Sequence, residues 1–216
     1  HYAYIQGYSD GSVRPNANIT RAQVATIFFR LLDEDVREDY LTADNAFQDV
    51  SGDYWANTAI STMASLGIIN GRDSGNFDPE APITRAEFAA ICARFDDSAA
   101  TGVSTFTDTS GHWAEAEISR VAALGWVQGY TDGSFCPDAP ITRAQAVTMI
   151  NRVLCRLPES AEDLLPGMNT WSDCHEDDWF YLAIQEATNS HDFTAKDRTY
   201  ETWTGMNADP DWSQYE

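Results

Sequence analysis

An all-helical protein made of three copies of one helix–loop–helix unit is what this sequence predicts, and three observations predict it. One segment, ending Ile-Thr-Arg-Ala, recurs three times without gaps. A second segment, running from an aromatic and an aspartate to a tryptophan, also recurs three times. Both are followed by apolar residues at helical rather than strand spacing.

The first segment is read as turn, then helix. Its copies are Gly7-Tyr8-Ser9-Asp10-Gly11 to Ile19-Thr20-Arg21-Ala22-Gln23, Gly71-Arg72-Asp73-Ser74-Gly75 to Ile83-Thr84-Arg85-Ala86-Glu87, and Gly129-Tyr130-Thr131-Asp132-Gly133 to Ile141-Thr142-Arg143-Ala144-Gln145. Glycine supplies positive φ in the turn, and proline (Pro15, Pro79, Pro137) blocks its extension. Thr20/Gln23, Thr84/Glu87 and Thr142/Gln145 are capping boxes, in which threonine and the residue three later satisfy each other's backbone N–H. Val24, Ile27, Phe28 and Leu31 then line one helix face, as do Phe88, Ile91, Cys92 and Phe95, and Ala146, Met149, Ile150 and Val153.

The second segment runs Phe47-Gln48-Asp49 to Trp55, Phe106-Thr107-Asp108 to Trp113, and Trp171-Ser172-Asp173 to Trp179. Ile60, Met63 and Ala64 share a helix face, as do Ile118, Val121 and Ala122, with Gly67 and Gly125 as C-terminal stops. Six main helices and little sheet are expected.

The half-units are staggered: the first repeat lacks its front half and the last lacks its back half. One module is therefore expected, with 1–32 as the second half of repeat one, 47–95 as repeat two, and 106–157 as repeat three. Residues 171–193 complete repeat one, and 194–216 pack alongside. The three repeats are expected in a pseudo-threefold arrangement, closed by docking of the C-terminal half-repeat beside the N-terminal one. Otherwise Leu182, Ile184 and Ala187 leave an apolar face uncovered. In detail, the helix from Trp179 to Thr188 is expected on the helix after Thr20. The abrupt start at His1 reads as a piece of something longer or a processed product.

Composition narrows the function. Thirteen basic against 34 acidic residues give a net charge of −21. That field disfavours nucleic acid and anionic lipid surfaces. No apolar run approaches the roughly 20 residues of a membrane span. Cys92, Cys136, Cys155 and Cys174 match neither a zinc ribbon nor a redox pair, and their pairing stays open. Cys92 lies in an apolar helix pattern and reads as a buried thiol. Counting from Asp10 or Asp132, the third and fifth residues are Ser12 and Arg14, or Ser134 and Cys136, so an EF-hand fails. His175-Glu176 lacks the second histidine of a zinc protease. No catalytic residues, cofactor or metal site are read from the sequence.

The recurring Phe-x-Asp, Trp, Gly-Tyr-x-Asp-Gly-x-Phe-x-Pro and Ile-Thr-Arg-Ala-Glu elements resemble the S-layer homology (SLH) family, three times over between about Tyr4 and Ser190. The resemblance implies an extracellular module at the bacterial cell surface. It would anchor a covalently linked, upstream cargo non-covalently to secondary cell-wall polysaccharide, often pyruvylated, in grooves between repeats. It also marks the motif arginines Arg21, Arg85 and Arg143 as ligand contacts. Gln23 and Gln145 replace the motif glutamate, and Asp73-Ser74-Gly75 departs from the usual turn.

The chemistry of these residues points the same way. A pyruvyl ketal carries a carboxylate, and a helix N-terminus offers N–H groups and partial positive charge. An arginine there adds a planar donor fork. Thr20, Thr84 and Thr142 sit beside those arginines. Tyr8, Tyr130 and Trp126 near the turn could pack on a sugar face, and Arg72 holds the tyrosine position in the second copy. The competing reading pairs each arginine with Asp49, Asp108 or Asp173. The competing functions are a self-assembling or adhesive surface module and, behind it, a calcium-binding one.

Overall fold

The structure is a computed structural model that describes residues 1–95 and 106–216. The chain divides into two compact units, Ile19–Ile83 with Asp211–Glu216, and His1–Asn18 with Thr84–Pro210.

The smaller unit holds α1 (Arg21–Leu31), α2 (Glu34–Tyr40) and α3 (Asn57–Ser65). α1 opens at the Thr20 capping box, with both reciprocal hydrogen bonds made. It buries Val24, Ile27 and Phe28 and packs on α3, whose Ile60 and Met63 are fully buried. α3 ends at Gly67, which takes a φ of 70°. The short, acidic α2 was not expected; it carries a buried Arg37 whose guanidinium lies over Trp212, 5.2 Å from the ring centre.

The larger unit holds α4 (Arg85–Ala93), α5 (Glu115–Ala123), α6 (Arg143–Leu154) and α7 (Tyr181–Thr188). α4 and α6 open on the Thr84 and Thr142 capping boxes. The pairing differs from expectation. α5 packs on α4, and α7 packs on α6 rather than on α1. The cause is the loop between a Trp helix and the following Thr-Arg helix. It is held by side chains from elsewhere and cannot fold into a tight helical hairpin. The apolar stripe of α5 (Ile118, Val121) therefore meets that of α4 (Phe88, Ile91, Cys92), the nearest stripe before it in sequence.

The C-terminal half-repeat does dock beside the N-terminal segment. Tyr4 and Ile5 both donate backbone N–H bonds to the Ala187 carbonyl at the end of α7, at 3.0 and 3.1 Å. The Trp171 ring lies against Gly7, and the Ser172 amide donates to the Gly11 carbonyl at 2.9 Å.

The stretch after α7 forms an antiparallel hairpin, β1 (His191–Ala195) and β2 (Glu201–Met206), with a bulge at Asp192/Phe193. The sheet is small, as expected, but its location was not read from sequence. Trp203 of β2 is buried and stacks on His191. All four cysteines are free thiols. Burial in α4 pushes the Cys92 thiol up to about 12, in keeping with an inert core role. Among the described residues no helix is long and apolar enough to cross a membrane.

The first glycine of each turn lies against an aromatic ring. A Cβ on Gly7 would lie 1.9 Å from Trp171, on Gly71 2.4 Å from Phe47, and on Gly129 2.5 Å from Phe106. At Gly129 it would also meet the Ser134 carbonyl oxygen at 2.6 Å, which is backbone and cannot step aside. Gly129→Ala is therefore expected to destabilise the chain by about 2–3 kcal/mol or more, read as a lower urea midpoint with an unchanged slope.

Candidate functional site

The three copies of the turn are built alike, and each is pinned from two sides. The first pin is the aspartate of the aromatic-x-Asp segment. Asp49 accepts from the backbone N–H groups of Phe77 and Asp78, both at 2.7 Å. Asp108 accepts from Phe135 and Cys136 at 2.8 and 2.7 Å. Asp173 accepts from Val13 and Arg14, both at 2.8 Å. The second residue of each pair is left-handed, with φ of 51° at Arg14, 56° at Asp78 and 55° at Cys136. Such a conformation costs a non-glycine residue roughly 1–2 kcal/mol, which the charge-assisted fork offsets.

The second pin is the motif arginine. Arg21 donates through Nε to the Phe77 carbonyl at 2.7 Å and through Nη2 to the Asn70 carbonyl at 2.8 Å. Arg85 donates likewise to Phe135 and Gln128 at 2.7 and 3.0 Å, and Arg143 to Val13 and Gln6 at 2.9 and 3.1 Å. All three are buried, at 7%, 3% and 3% exposure. Rings pack against them: Phe77 on Arg21, Phe135 and Tyr130 on Arg85, and Tyr8 on Arg143. Burial lowers the pKa of Arg85 and Arg143 from the usual guanidinium value, yet a guanidinium stays charged in proteins.

These partners change the sequence reading twice. The hydrogen-bond partners found for the arginines are carbonyls, while Asp49, Asp108 and Asp173 serve backbone amides. The helix N-termini, expected to offer unpaired N–H groups, are already satisfied. Arg21 and Ala22 donate to the Ala81 and Pro79 carbonyls, Arg85 and Ala86 to Ala139 and Pro137, and Arg143 and Ala144 to Ala17 and Pro15. The third amide of each helix goes to the oxygen of Thr20, Thr84 or Thr142. A neighbouring turn thus occupies the place where a carboxylate was expected. In Arg85 and Arg143, Nη1 donates to no described residue.

The other expected site residues divide. Tyr130 is exposed, and Tyr8 half-buried with the Arg14 guanidinium 3.7 Å over its ring. Arg72 is exposed and sits 3.4 Å from Asp78. Trp126 is half-buried, in the loop after α5. Sequence reasoning missed Trp55, Trp113 and Trp179 as surface residues. They stand at matching positions just before α3, α5 and α7, and are 41%, 63% and 65% exposed. The signal was present in the sequence, because in each copy the tryptophan lies outside the apolar stripe of the helix it precedes.

The S-layer homology domain family matches residues 2–25, 46–89 and 105–147, just over half the chain. The chain belongs to the S-layer homology family. The matches follow the repeated elements: each contains one Thr-Arg motif, and the second and third also contain the aromatic-x-Asp segment. The chain is 36% identical over 211 residues to Cell surface glycoprotein 1 of Acetivibrio thermocellus, covering 91% of this chain and 9% of that protein. It is 34% identical over 199 residues to the Cellulosome-anchoring protein of the same organism, covering 89% of this chain and 43% of that protein. An S-layer protein of Bacillus licheniformis is 32% identical over 150 residues, covering 68% and 17%. The chain therefore spans less than half the length of each of these relatives.

Two outcomes follow for this S-layer homology chain. Arg85→Ala should cost about 2–4 kcal/mol in urea unfolding, because two charge-assisted bonds vanish and two carbonyls lose their donor. Arg85→Lys should recover only part, since an ammonium lacks the planar fork. The fork accepted by Asp108 lowers its pKa below the ordinary aspartate value, although burial opposes the shift. Its stabilisation is then fully present above the unfolded pKa of about 3.9 and is lost as pH falls through the depressed folded value. Asp108→Asn should lower the melting temperature at pH 7, and the gap to the wild type should shrink below about pH 4 in thermal melts across pH.

Proposed function

We propose that this chain anchors a larger surface protein to a bacterial cell wall, outside the cell, by binding an anionic secondary cell-wall polysaccharide. The carrying observation is the set of three exposed tryptophans, Trp55, Trp113 and Trp179, at equivalent positions just before α3, α5 and α7. An exposed aromatic face is suited to the apolar face of a sugar ring. Tyr130 and Tyr8 add two further rings beside Arg85 and Arg143. A carboxylate on the polymer, such as a pyruvyl ketal, would be read by the Nη1 edges of those arginines and by Arg72.

The division into repeats follows the same reading: 1–32 with 171–193 as the first, 47–95 as the second, and 106–157 as the third. The names of the relatives, a cellulosome-anchoring protein and an S-layer protein, support an anchoring role. Their much greater length supports a cargo joined to the anchor in one chain. The role of this segment is binding rather than catalysis.

The net charge of −21 opposes binding an anionic polymer at long range. Screening confines that repulsion to about 8 Å at physiological salt. Stacking and short hydrogen bonds then decide, and affinity should rise with ionic strength.

The test is co-sedimentation with cell-wall sacculi, before and after stripping the polysaccharide, followed by titration with the purified polymer. Replacing Trp113 and Trp179 together by alanine should weaken binding at least about tenfold, with the melting temperature unchanged because these two rings are 63% and 65% exposed. Wild-type affinity in that folded variant would remove the stacking role. Equal binding to stripped sacculi would remove the polysaccharide. Retention that requires a second protein would place the chain among self-assembling surface modules instead.

A further inference from the structure

Four residues far apart in sequence meet in the interior of the larger unit: His1, Glu186 of α7, His191 of β1 and Glu201 of β2. One nitrogen or oxygen from each lies within 4.8 Å of all the others. His1 Nδ1 is 3.4 Å from Glu186 Oε1 and 3.2 Å from Glu201 Oε1. His191 Nε2 is 3.4 Å from Glu186 Oε2 and 3.2 Å from Glu201 Oε1. A tetrahedral ion with bonds of about 2.0–2.1 Å spaces its ligand atoms about 3.3–3.4 Å apart. The four printed separations fall at or just below that spacing, and no pair in the cluster exceeds 4.8 Å.

Two buried atoms of this cluster are left without a hydrogen-bond partner. Glu186 is 1% exposed, yet its Oε1 has no hydrogen-bond partner, and neither does the buried His1 Nδ1. His191 is fully buried, and both its ring nitrogens face oxygen. Its Nδ1 lies 2.9 Å from the Asn189 carbonyl, which can only accept, so Nδ1 carries the proton. In the neutral ring, Nε2 then points a lone pair at two carboxylates. With both imidazoles neutral, the two buried carboxylates leave two negative charges in the interior. A divalent cation among the four atoms removes each difficulty at once. It balances both charges and accepts the lone pairs of both imidazoles and of Glu186 Oε1.

The outer contacts are those a metal ligand needs to hold its orientation. Asn189 fixes the His191 tautomer. Trp203 donates its indole N–H to Glu186 Oε2 at 3.0 Å and stacks on the His191 ring. The His1 ring stacks on Phe193, and the His191 amide donates to the His1 carbonyl at 3.0 Å. Sequence analysis read no metal site, because 190 residues separate the two histidines and none of the four falls in a spaced motif.

We propose that His1, Glu186, His191 and Glu201 bind one divalent first-row transition ion, zinc foremost, as a structural staple. Two imidazoles and two carboxylates favour such an ion over calcium or magnesium, which take oxygen ligands. Four protein ligands close the coordination sphere, which marks a structural rather than a catalytic ion. The staple ties the N-terminal segment to α7 and to both strands of the hairpin.

The test is calorimetric titration of chelator-treated chain with Zn2+, alongside Co2+ absorption spectra. One equivalent per chain and the visible bands of tetrahedral Co2+ are expected. Glu186→Gln and Glu201→Gln keep side-chain shape and should each weaken Zn2+ binding at least about tenfold. His1→Ala, at the least buried ligand, should do the same while the chain stays folded. Chelator should lower the melting temperature of the wild type and leave that of Glu186→Gln unmoved. No stoichiometric binding in the wild type would overturn the proposal and leave a buried ion-pair cluster. Binding that survives unchanged in both glutamine variants would also overturn it, by placing the metal elsewhere.

Discussion

The double pinning of the turn is the interaction on which the rest of the structure depends. A loop that carries left-handed residues at Arg14, Asp78 and Cys136 has little reason to hold its shape alone. It is fixed because a carboxylate grips two successive amides from one side and a guanidinium grips two carbonyls from the other. Both contacts are charge-assisted, and the arginine member is shielded from water, so each is worth more than an ordinary surface bond. The same device occurs three times with nearly the same distances. Each arginine reaches forward to the turn after it, and the third, Arg143, reaches back to Val13 and Gln6.

This arrangement explains why the motif is so fixed in type. Threonine must cap, arginine must span two carbonyls, and glycine must lie flat beneath a ring. None of these roles requires a ligand. A residue can therefore recur in every copy because it holds the frame, whether or not it touches a ligand. The tryptophans before α3, α5 and α7 stand outside that frame and form the proposed binding surface. The frame spends its polar groups internally and leaves large aromatic faces outside, an unusual use of tryptophan in a chain with ample core to bury it.

The C-terminal half-repeat docks beside the N-terminal segment, and this joint is reinforced beyond the shared motif. Trp171 replaces the phenylalanine of the other copies against Gly7, and its indole N–H reaches the Thr188 hydroxyl at 3.0 Å. The backbone of Tyr4 and Ile5 is tied to the end of α7. The hairpin and the His–Glu cluster add a further layer at the same joint.

The sequence by itself determined the repeats, the helix starts, the helix stops and the buried faces. Each of these depends on residues within a few positions of one another: Thr20 on Gln23, or Ile118 on Val121. Local spacing is enough when the interaction is local. Tertiary structure decided everything that joins distant segments. α7 lies on α6 and not on α1, because the loop between half-repeats is held by Asp and Arg side chains from elsewhere. The partners of Arg21, Arg85 and Arg143 turned out to be backbone carbonyls, which have no sequence signature. The helix N-termini were closed by neighbouring turns for the same reason. The hairpin was hidden because its strands are short and its apolar residues few. The meeting of His1 with His191, Glu186 and Glu201 rests on no periodicity at all, since chain folding alone brings position 1 beside position 191.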